Sequence, residues 1–259
     1  MMSATLISEA ELNEIYDHFS HFSEGLAWVR KDEWEFHIRK NGEPAYEERY
    51  KDATSFSEGL ATVRQNGKAF HIHPNGKPAY RERYDQVDDF NEGLAAARKR
   101  TQEFHIRPDG KPAYKERYEH IKAFNGGLAC VHKNGKAFHI RPDGKPAYRG
   151  RYDKVSDFRE GLACAYKNGK AFHIHPNGKP VYKERYDHVG EFREGLAWVI
   201  KGDQGFHIRP DGKLAYKEKY SNVTDFLQGC AWVIRNSEEK GLIRGLEGFY
   251  IYPDGTRVD

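Results

Sequence analysis

One short string returns every 34 residues along this chain and sets the phase of everything else. FSEGLA begins at Phe22 and Phe56, FNEGLA at Phe90, FNGGLA at Phe124, FREGLA at Phe158 and Phe192, and FLQGCA at Phe226. A fixed period in this range is the mark of a repeat architecture. A unit this small cannot bury its own apolar face, so neighbouring units must cover one another. The 259 residues are therefore expected to form one array of seven units rather than two independent cores. Repeats start near residues 16, 50, 84, 118, 152, 186 and 220.

Each copy reads as four short extended pieces, as in YDQVDDF (84–90), GLAAAR (93–98), FHIR (104–107) and PAYKER (112–117). Asn66-Gly67, Asn134-Gly135 and Asn168-Gly169 separate the second and third pieces. Pro74-Asn75-Gly76 and Pro108-Asp109-Gly110 separate the third and fourth. Asn-Gly and Asp-Gly supply the positive φ of tight hairpin turns, and the preceding proline ends a strand. Each repeat is thus an antiparallel β-meander with no room for a helix.

The N-terminal segment, residues 1–15, stands outside the pattern. Ser8 and Glu11 have capping-box spacing, which predicts a short helix from about Glu9 to Tyr16 with Leu12, Ile15 and Tyr16 on one stripe. This helix is expected to cap the end of the array. The seventh copy breaks the rhythm once: Phe22 to Phe36 is 14 residues, but Phe226 to Phe249 is 23. The extra nine residues fall within 236–248 and are expected to lengthen a hairpin loop that carries Leu242, Ile243 and Leu246. The pattern spans 16–259 in whole units, which favours an all-β, seven-bladed β-propeller. An open β-hairpin solenoid or spiral is the alternative, because 34 residues is short beside ~40–45 for a four-stranded blade.

Composition narrows the function classes. Hydrophobic residues are 38% and aromatics 14%, so Tyr and Phe carry the core. Basic and acidic residues number 42 and 39 and are interspersed. A nucleic-acid face would show a concentrated basic excess. No apolar run approaches the ~18–20 residues of a membrane span. There is no basic-then-apolar leader, and the three cysteines suit buried free thiols in a reducing compartment. A cytoplasmic location and a monomer follow as expectations. Cys130 and Cys164 occupy equivalent positions in adjacent repeats, and a bridge between them is the lesser reading.

The order F-x-E-G-L-A-x-V, G-K-x-F-H-I, P-D/N-G-K-P-A-Y, E-R-Y-D-x-V resembles the bacterial WG-repeat (KWG) proteins from Tyr16 onward. The name-giving dipeptide is replaced here by Ala69-Phe70, Ala137-Phe138, Ala171-Phe172 and Gly205-Phe206, an FHI-type variant. The resemblance implies a β-rich binding module and brings no catalytic residues.

Several columns could carry chemistry. His37, His71, His105, His139, His173 and His207 stand between Phe and Ile, and Arg39, His73, Arg107, Arg141, His175 and Arg209 lie two residues on. Strand alternation would put both sets on one outward face, a cationic row for anions or an acidic partner. His71 with His73, or His173 with His175, could even share a metal ion. The competing reading is favoured: each His makes the same structural hydrogen bond in every copy. Glu58, Glu92, Glu160 and Glu194 are expected to bridge Arg83, Arg117, Arg151 and Arg185 between repeats. The following glycines are assigned to a bulge or a close backbone approach.

Positions that vary between copies point to function more sharply. One column reads Trp28, Thr62, Ala96, Cys130, Cys164, Trp198, Trp232. In a ring, repeats one, six and seven are neighbours and the three Trp would form a binding patch; filling of a tapered core is the alternative. No P-loop, G-x-S-x-G, H-E-x-x-H or C-x-x-C motif occurs. The chain is read as a non-enzymatic scaffold without cofactor or metal that binds a protein through one rim or face. A small-ligand, anion or glycan site on the Trp patch or in a central funnel is the alternative.

Overall fold

The computed structural model describes residues 6–239 and 242–258, without the side chains of residues 236–244. The chain packs as two compact units, Met1–Val131 with Pro142–Gly144, and His132–Arg141 with Lys145–Asp259.

The first unit opens with α1 (Glu9–Ile15). Its capping box forms: the Ser8 amide donates to Glu11 Oε2 at 2.8 Å and the Glu11 amide to Ser8 Oγ at 3.3 Å. The helix stops one residue earlier than expected. Tyr16 leaves it with φ −124°, which turns its ring edge-on to Phe36 at 5.9 Å. Leu12 and Tyr16 are buried, but Ile15 is exposed, so the expected three-residue stripe has two members.

Three antiparallel sheets follow in that unit. They are β1 (His18–Phe19), β2 (Leu26–Lys31) and β3 (Trp34–Arg39); β4 (Asp52–Ala53), β5 (Ala61–Gln65) and β6 (Lys68–Ile72); and β7 (Gln86–Val87), β8 (Ala95–Lys99) and β9 (Gln102–Ile106). The fourth repeat has the same strands, β10 (His120–Ile121), β11 (Ala129–Lys133) and β12 (Lys136–Ile140). The second unit holds the sheets β13 (Lys154–Val155), β14 (Ala163–Lys167), β15 (Lys170–Ile174) and β16 (His188–Val189), β17 (Ala197–Lys201), β18 (Gln204–Ile208). Its last sheet is β19 (Asn222–Val223), β20 (Ala231–Glu239) and β21 (Leu242–Ile251).

The fold is all-β apart from α1, a tandem series of three-stranded meanders. The fourth extended piece of each repeat contributes no strand. Pro78 makes one bridge to Ile72 and Tyr84 one to Ala69, because a proline without an N–H cannot carry a ladder onward. The nine extra residues of repeat seven are also not a loop. They lengthen the hairpin, whose pairing continues through Asn236↔Leu246 to Glu239↔Leu242 with a register shift at Ser237/Glu238. The side chains of Leu242 and Ile243 lie outside the described residues, and Leu246 is 71% exposed.

Two glycine columns show why the strings repeat. Ser57 and Leu60 pair across Glu58 (φ 51°) and Gly59 (φ 79°), a two-residue hairpin that needs positive φ at both central positions. A Cβ on Gly59 would meet nothing within 4 Å, so its role is the dihedral and not the close approach expected. Gly76 is the opposite case: its Cβ would lie 2.5 Å from Tyr46 Cγ of the preceding repeat.

Among the described residues the Glu and Arg columns do not bridge each other. Glu24 accepts from the Gly59 amide at 2.9 Å, Glu58 from Gly93 at 2.9 Å, and Glu194 from Gln228 at 2.7 Å. Each carboxylate thereby caps the turn of the next repeat. Arg83 instead lies over the Phe70 ring at 3.7 Å and donates to the Tyr80 carbonyl at 3.0 Å. A guanidinium stacks on an aromatic face and satisfies local carbonyls with the same fork.

The two glycine roles separate by substitution. Gly59→Ala should lower stability by about 1–2 kcal/mol, the cost of a left-handed L-residue, while Gly76→Ala should cost clearly more because Tyr46 must move. Urea unfolding of both variants checks this, and equal losses would contradict it.

Candidate functional site

The interior histidines come first, because they decide what the cationic columns can do. In β6 the sequence KAFHI is buried on both faces from Ala69 to Ile72. Strand alternation therefore sends Phe70 and His71 to opposite sides, but neither side is solvent. Both faces are covered, as in sheets packed on each side. All six column histidines are 0–1% exposed. His71 and His173, read above as members of an outward cationic row, are corrected on that ground.

Each buried ring joins two repeats. Tyr80 Oη lies 2.5 Å from His71 Nδ1, and His71 Nε2 lies 3.0 Å from the Asp88 carbonyl of the next repeat. A carbonyl only accepts, so Nε2 carries the proton and Nδ1 accepts from the tyrosine O–H. The same pairs recur at His37 with Tyr46 and the Thr54 carbonyl, and at His105 with Tyr114 and the Lys122 carbonyl. They recur again at His139 with Tyr148 and Ser156, His173 with Tyr182 and Gly190, and His207 with Tyr216 and Thr224. A phenylalanine of the following repeat covers each ring, as Phe90 covers His71 at 4.5 Å. With both nitrogens engaged, His71 and His173 have no lone pair to give a metal ion.

Burial pushes His37, His71, His105, His173 and His207 down from 6.5 to about 4, against the smaller upward pull of the carbonyl bond. It also pushes the partner Tyr46, Tyr80, Tyr114, Tyr182 and Tyr216 upward. These rings are neutral at neutral pH.

The remaining candidates lie outside. His73, His175, Arg107, Arg141 and Arg209 are exposed at strand ends. Arg209 Nη2 donates to the Ala215 carbonyl at 2.9 Å, and Arg107 Nη1 to the Ala113 carbonyl at 3.4 Å, so both brace their own turns. Cys130, Cys164 and Cys230 are free thiols. Burial raises the Cys164 thiol to about 12, which leaves it unreactive.

The tryptophans divide. Trp28 belongs to the first unit and Trp198 and Trp232 to the second. Trp28 is half-buried opposite His37 in the β2–β3 ladder. Trp198 is partly buried and packs against the core cluster that holds Val223, Phe226 and Val233. Trp232 is different: it is 36% exposed and meets Tyr250 edge-on at 4.9 Å. Tyr250 is 50% exposed and Leu227 58% exposed. Together with Thr224, Gln228 and Cys230 they line a groove of ≈ 550 Å³.

Tyr250 and Leu227 were not singled out from the sequence, although the signal was there. The nine-residue insertion moves the FHI column from 241 to 250, so FYI replaces FHI. A second cavity of ≈ 210 Å³ lies against Ala96 and Ala97, which leave space in the third repeat. Among its lining groups, Gln86 donates to Asp88 at 3.3 Å, and Glu103 accepts from the Ile121 amide at 2.9 Å.

The depressed histidines make stability pH-dependent. Between pH 6.5 and about 4 the unfolded chain binds protons that five folded rings refuse. Their contribution is whole above 6.5 and is lost as pH falls toward 4, at about 1.4 kcal/mol per pH unit for each ring. Urea midpoints should therefore be flat from pH 8 to 7 and fall steeply below about 6.5. A midpoint unchanged between pH 7 and 5 would contradict the assignment.

No curated protein matches the chain. Among solved structures it resembles the crystal structure of the eukaryotic initiation factor at 10% identity, covering 95% of this chain and 77% of that one with a TM-score of 0.50. It is also similar to Kluyveromyces lactis Hsv2, at 10% identity over 87% of this chain and 82% of that one, TM-score 0.41. YCF48 bound to D1 peptide matches at 10% identity over 83% and 88%, TM-score 0.39. The first of these likenesses supports a propeller-like fold. The profile described as "WG containing repeat" matches residues 15–33, 38–68, 72–100, 106–136, 140–170 and 174–204. With more than half of its length matched in register with the repeats, the chain belongs to the WG containing repeat family.

Proposed function

We propose that this chain is a non-enzymatic repeat scaffold that binds a protein partner through one face, and that the face is the seventh-repeat groove around Trp232. The reading rests on how the polar groups are used. The column histidines, the Glu caps and the stacked Arg residues act within or between repeats, so the groups able to do acid–base work serve the fold. What stands apart is apolar and asymmetric. Trp232, Tyr250 and Leu227 are exposed side by side, and Trp and Tyr anchors in a groove are the usual energetic centre of a protein interface. Single exposed apolar residues need no explanation, but a cluster of large ones does. Among the described residues no helix is long and apolar enough to cross a membrane.

Trp232→Ala with Tyr250→Ala should abolish capture of a stoichiometric protein partner and leave the thermal midpoint within a few degrees of the parent. The reading is overturned if capture survives the double substitution. It also fails if a metabolite or glycan raises the midpoint of the parent and not of the variant, which would make the groove a small-ligand site.

A further inference from the structure

The space between one repeat and the next is filled very differently in repeats six and three. In repeat six, Trp198 and Ile200 on β17 pack against the core cluster that holds Val223 of the next repeat. Two glycines make room for them. A Cβ on Gly190 would collide with the Trp198 indole, and one on Gly205 would lie 3.1 Å from Ile200 Cδ1. Bulk on the strand is matched by missing bulk around it.

Repeat three inverts that pattern. Its strand loses bulk, with Ala96 in the place of Trp198, while the surroundings gain charge: Asp88 for Gly190, Arg98 for Ile200 and Glu103 for Gly205. Ile121 stands for Val223. The result is the cavity of ≈ 210 Å³, and every residue that lines it belongs to the first unit. At about 30 Å³ for each water in the liquid, it has room for roughly seven waters or a molecule of as many heavy atoms.

Repeat one carries the same Arg and Glu and shows them closed on each other. Arg30 Nε donates to Glu35 Oε1 at 2.8 Å, and Glu35 Oε2 accepts from the Ala53 amide at 2.5 Å. In repeat three, Glu103 keeps the second bond, to the Ile121 amide at 2.9 Å, and its other oxygen has His120 Nδ1 at 3.8 Å. Arg98 lies opposite Glu103 in the ladder, yet its side chain makes no hydrogen bond or ion pair among the described residues. Asp88 replaces Ser20, whose hydroxyl accepts from the Trp28 amide at 3.1 Å. Among the described residues the Asp88 carboxylate accepts one hydrogen bond, from Gln86 Nε2 at 3.3 Å. Space, an unused guanidinium and an underused carboxylate therefore coincide in one repeat.

We propose that this cavity binds a small amino acid, with the ligand carboxylate on Arg98, its ammonium on Asp88 and its body over Ala96 against Ile121. The planar fork of Arg98 matches a carboxylate in a bidentate pair, and a charge-assisted bond holds the ammonium. Arg98 pairs with Gln86 across the ladder, so Asp88 is its diagonal neighbour, about 7–8 Å away along the backbone. Two charged groups of one small molecule fit in that gap. An amine alone would leave Arg98 unmatched, and a carboxylate alone would leave Asp88 unmatched. The site lies outside the Trp232 groove and goes beyond the scaffold reading.

Titration calorimetry of the full chain with glycine, L-alanine, L-serine and L-proline tests this. At least one should bind saturably with a Kd in the millimolar range or below, while acetate and methylammonium at the same concentrations should not. Ala96→Trp, which restores the residue carried by repeats one, six and seven, should abolish binding and leave the thermal midpoint at or above that of the parent. Asp88→Asn and Arg98→Gln should each weaken binding about tenfold or more, the loss of one charge-assisted bond. Trp232→Ala with Tyr250→Ala should bind the amino acid as the parent does. No binding by any of the four, equal binding of acetate or methylammonium, or binding that Ala96→Trp or Asp88→Asn leaves unchanged overturns the proposal. Each of those results leaves partner capture through Trp232 untouched, so the two readings fail separately.

Discussion

Everything in this fold depends on a neutral imidazole held between two repeats. A small three-stranded sheet has little interior, so its inner strand is buried from both sides only when the next repeat arrives. The buried position carries a polar ring that would cost about 1–3 kcal/mol for each unpaired group. Tyrosine of the same repeat satisfies one nitrogen and a backbone carbonyl of the next satisfies the other. The ring is thus satisfied only when the neighbour is in register, and phenylalanine of that neighbour seals it from water. The interaction works as a register pin as much as an attraction. A shift of one residue would remove the carbonyl and leave a donor stranded.

The period, the Asn-Gly hairpins and the capped helix were legible because each is a local rule written in adjacent residues. The histidines were harder to place. Alternation along FHIR separates Phe70 from His71, and in an ordinary half-buried sheet that sends His71 to solvent. Here the other side is a second packing surface, a tertiary fact that strand periodicity does not carry. Repetition was the better guide, since an identical residue in identical context six times has identical partners. Glu58 and Arg83 show the same limit: their charges suggest each other, yet the carboxylate finds backbone amides and the guanidinium finds a ring. Gly59 and Gly76 look alike in sequence and differ in cause.

The exposed groove was half legible. Trp232 stood out by its column, whose other tryptophans, Trp28 and Trp198, are half-buried. The residues that accompany it, Tyr250 and Leu227, were concealed by the insertion, which displaces one column and not the other. Once the columns are realigned, Tyr250 stands where the other repeats carry the column histidine, Gln228 where most carry Glu, and Leu227 where they carry Ser, Asn or Arg. Each replaces a group that elsewhere reaches the next repeat with one that is less polar.

The most direct test of the central claim is the tautomer and charge of the interior histidines, read from two-bond nitrogen–proton correlations of the ring nitrogens across a pH titration. The account predicts that the six column rings are Nε2–H tautomers and that His37, His71, His105, His173 and His207 stay neutral in the folded protein well below pH 6.5. Column rings that titrate near 6.5 in the folded chain, or that carry the proton on Nδ1, would contradict it.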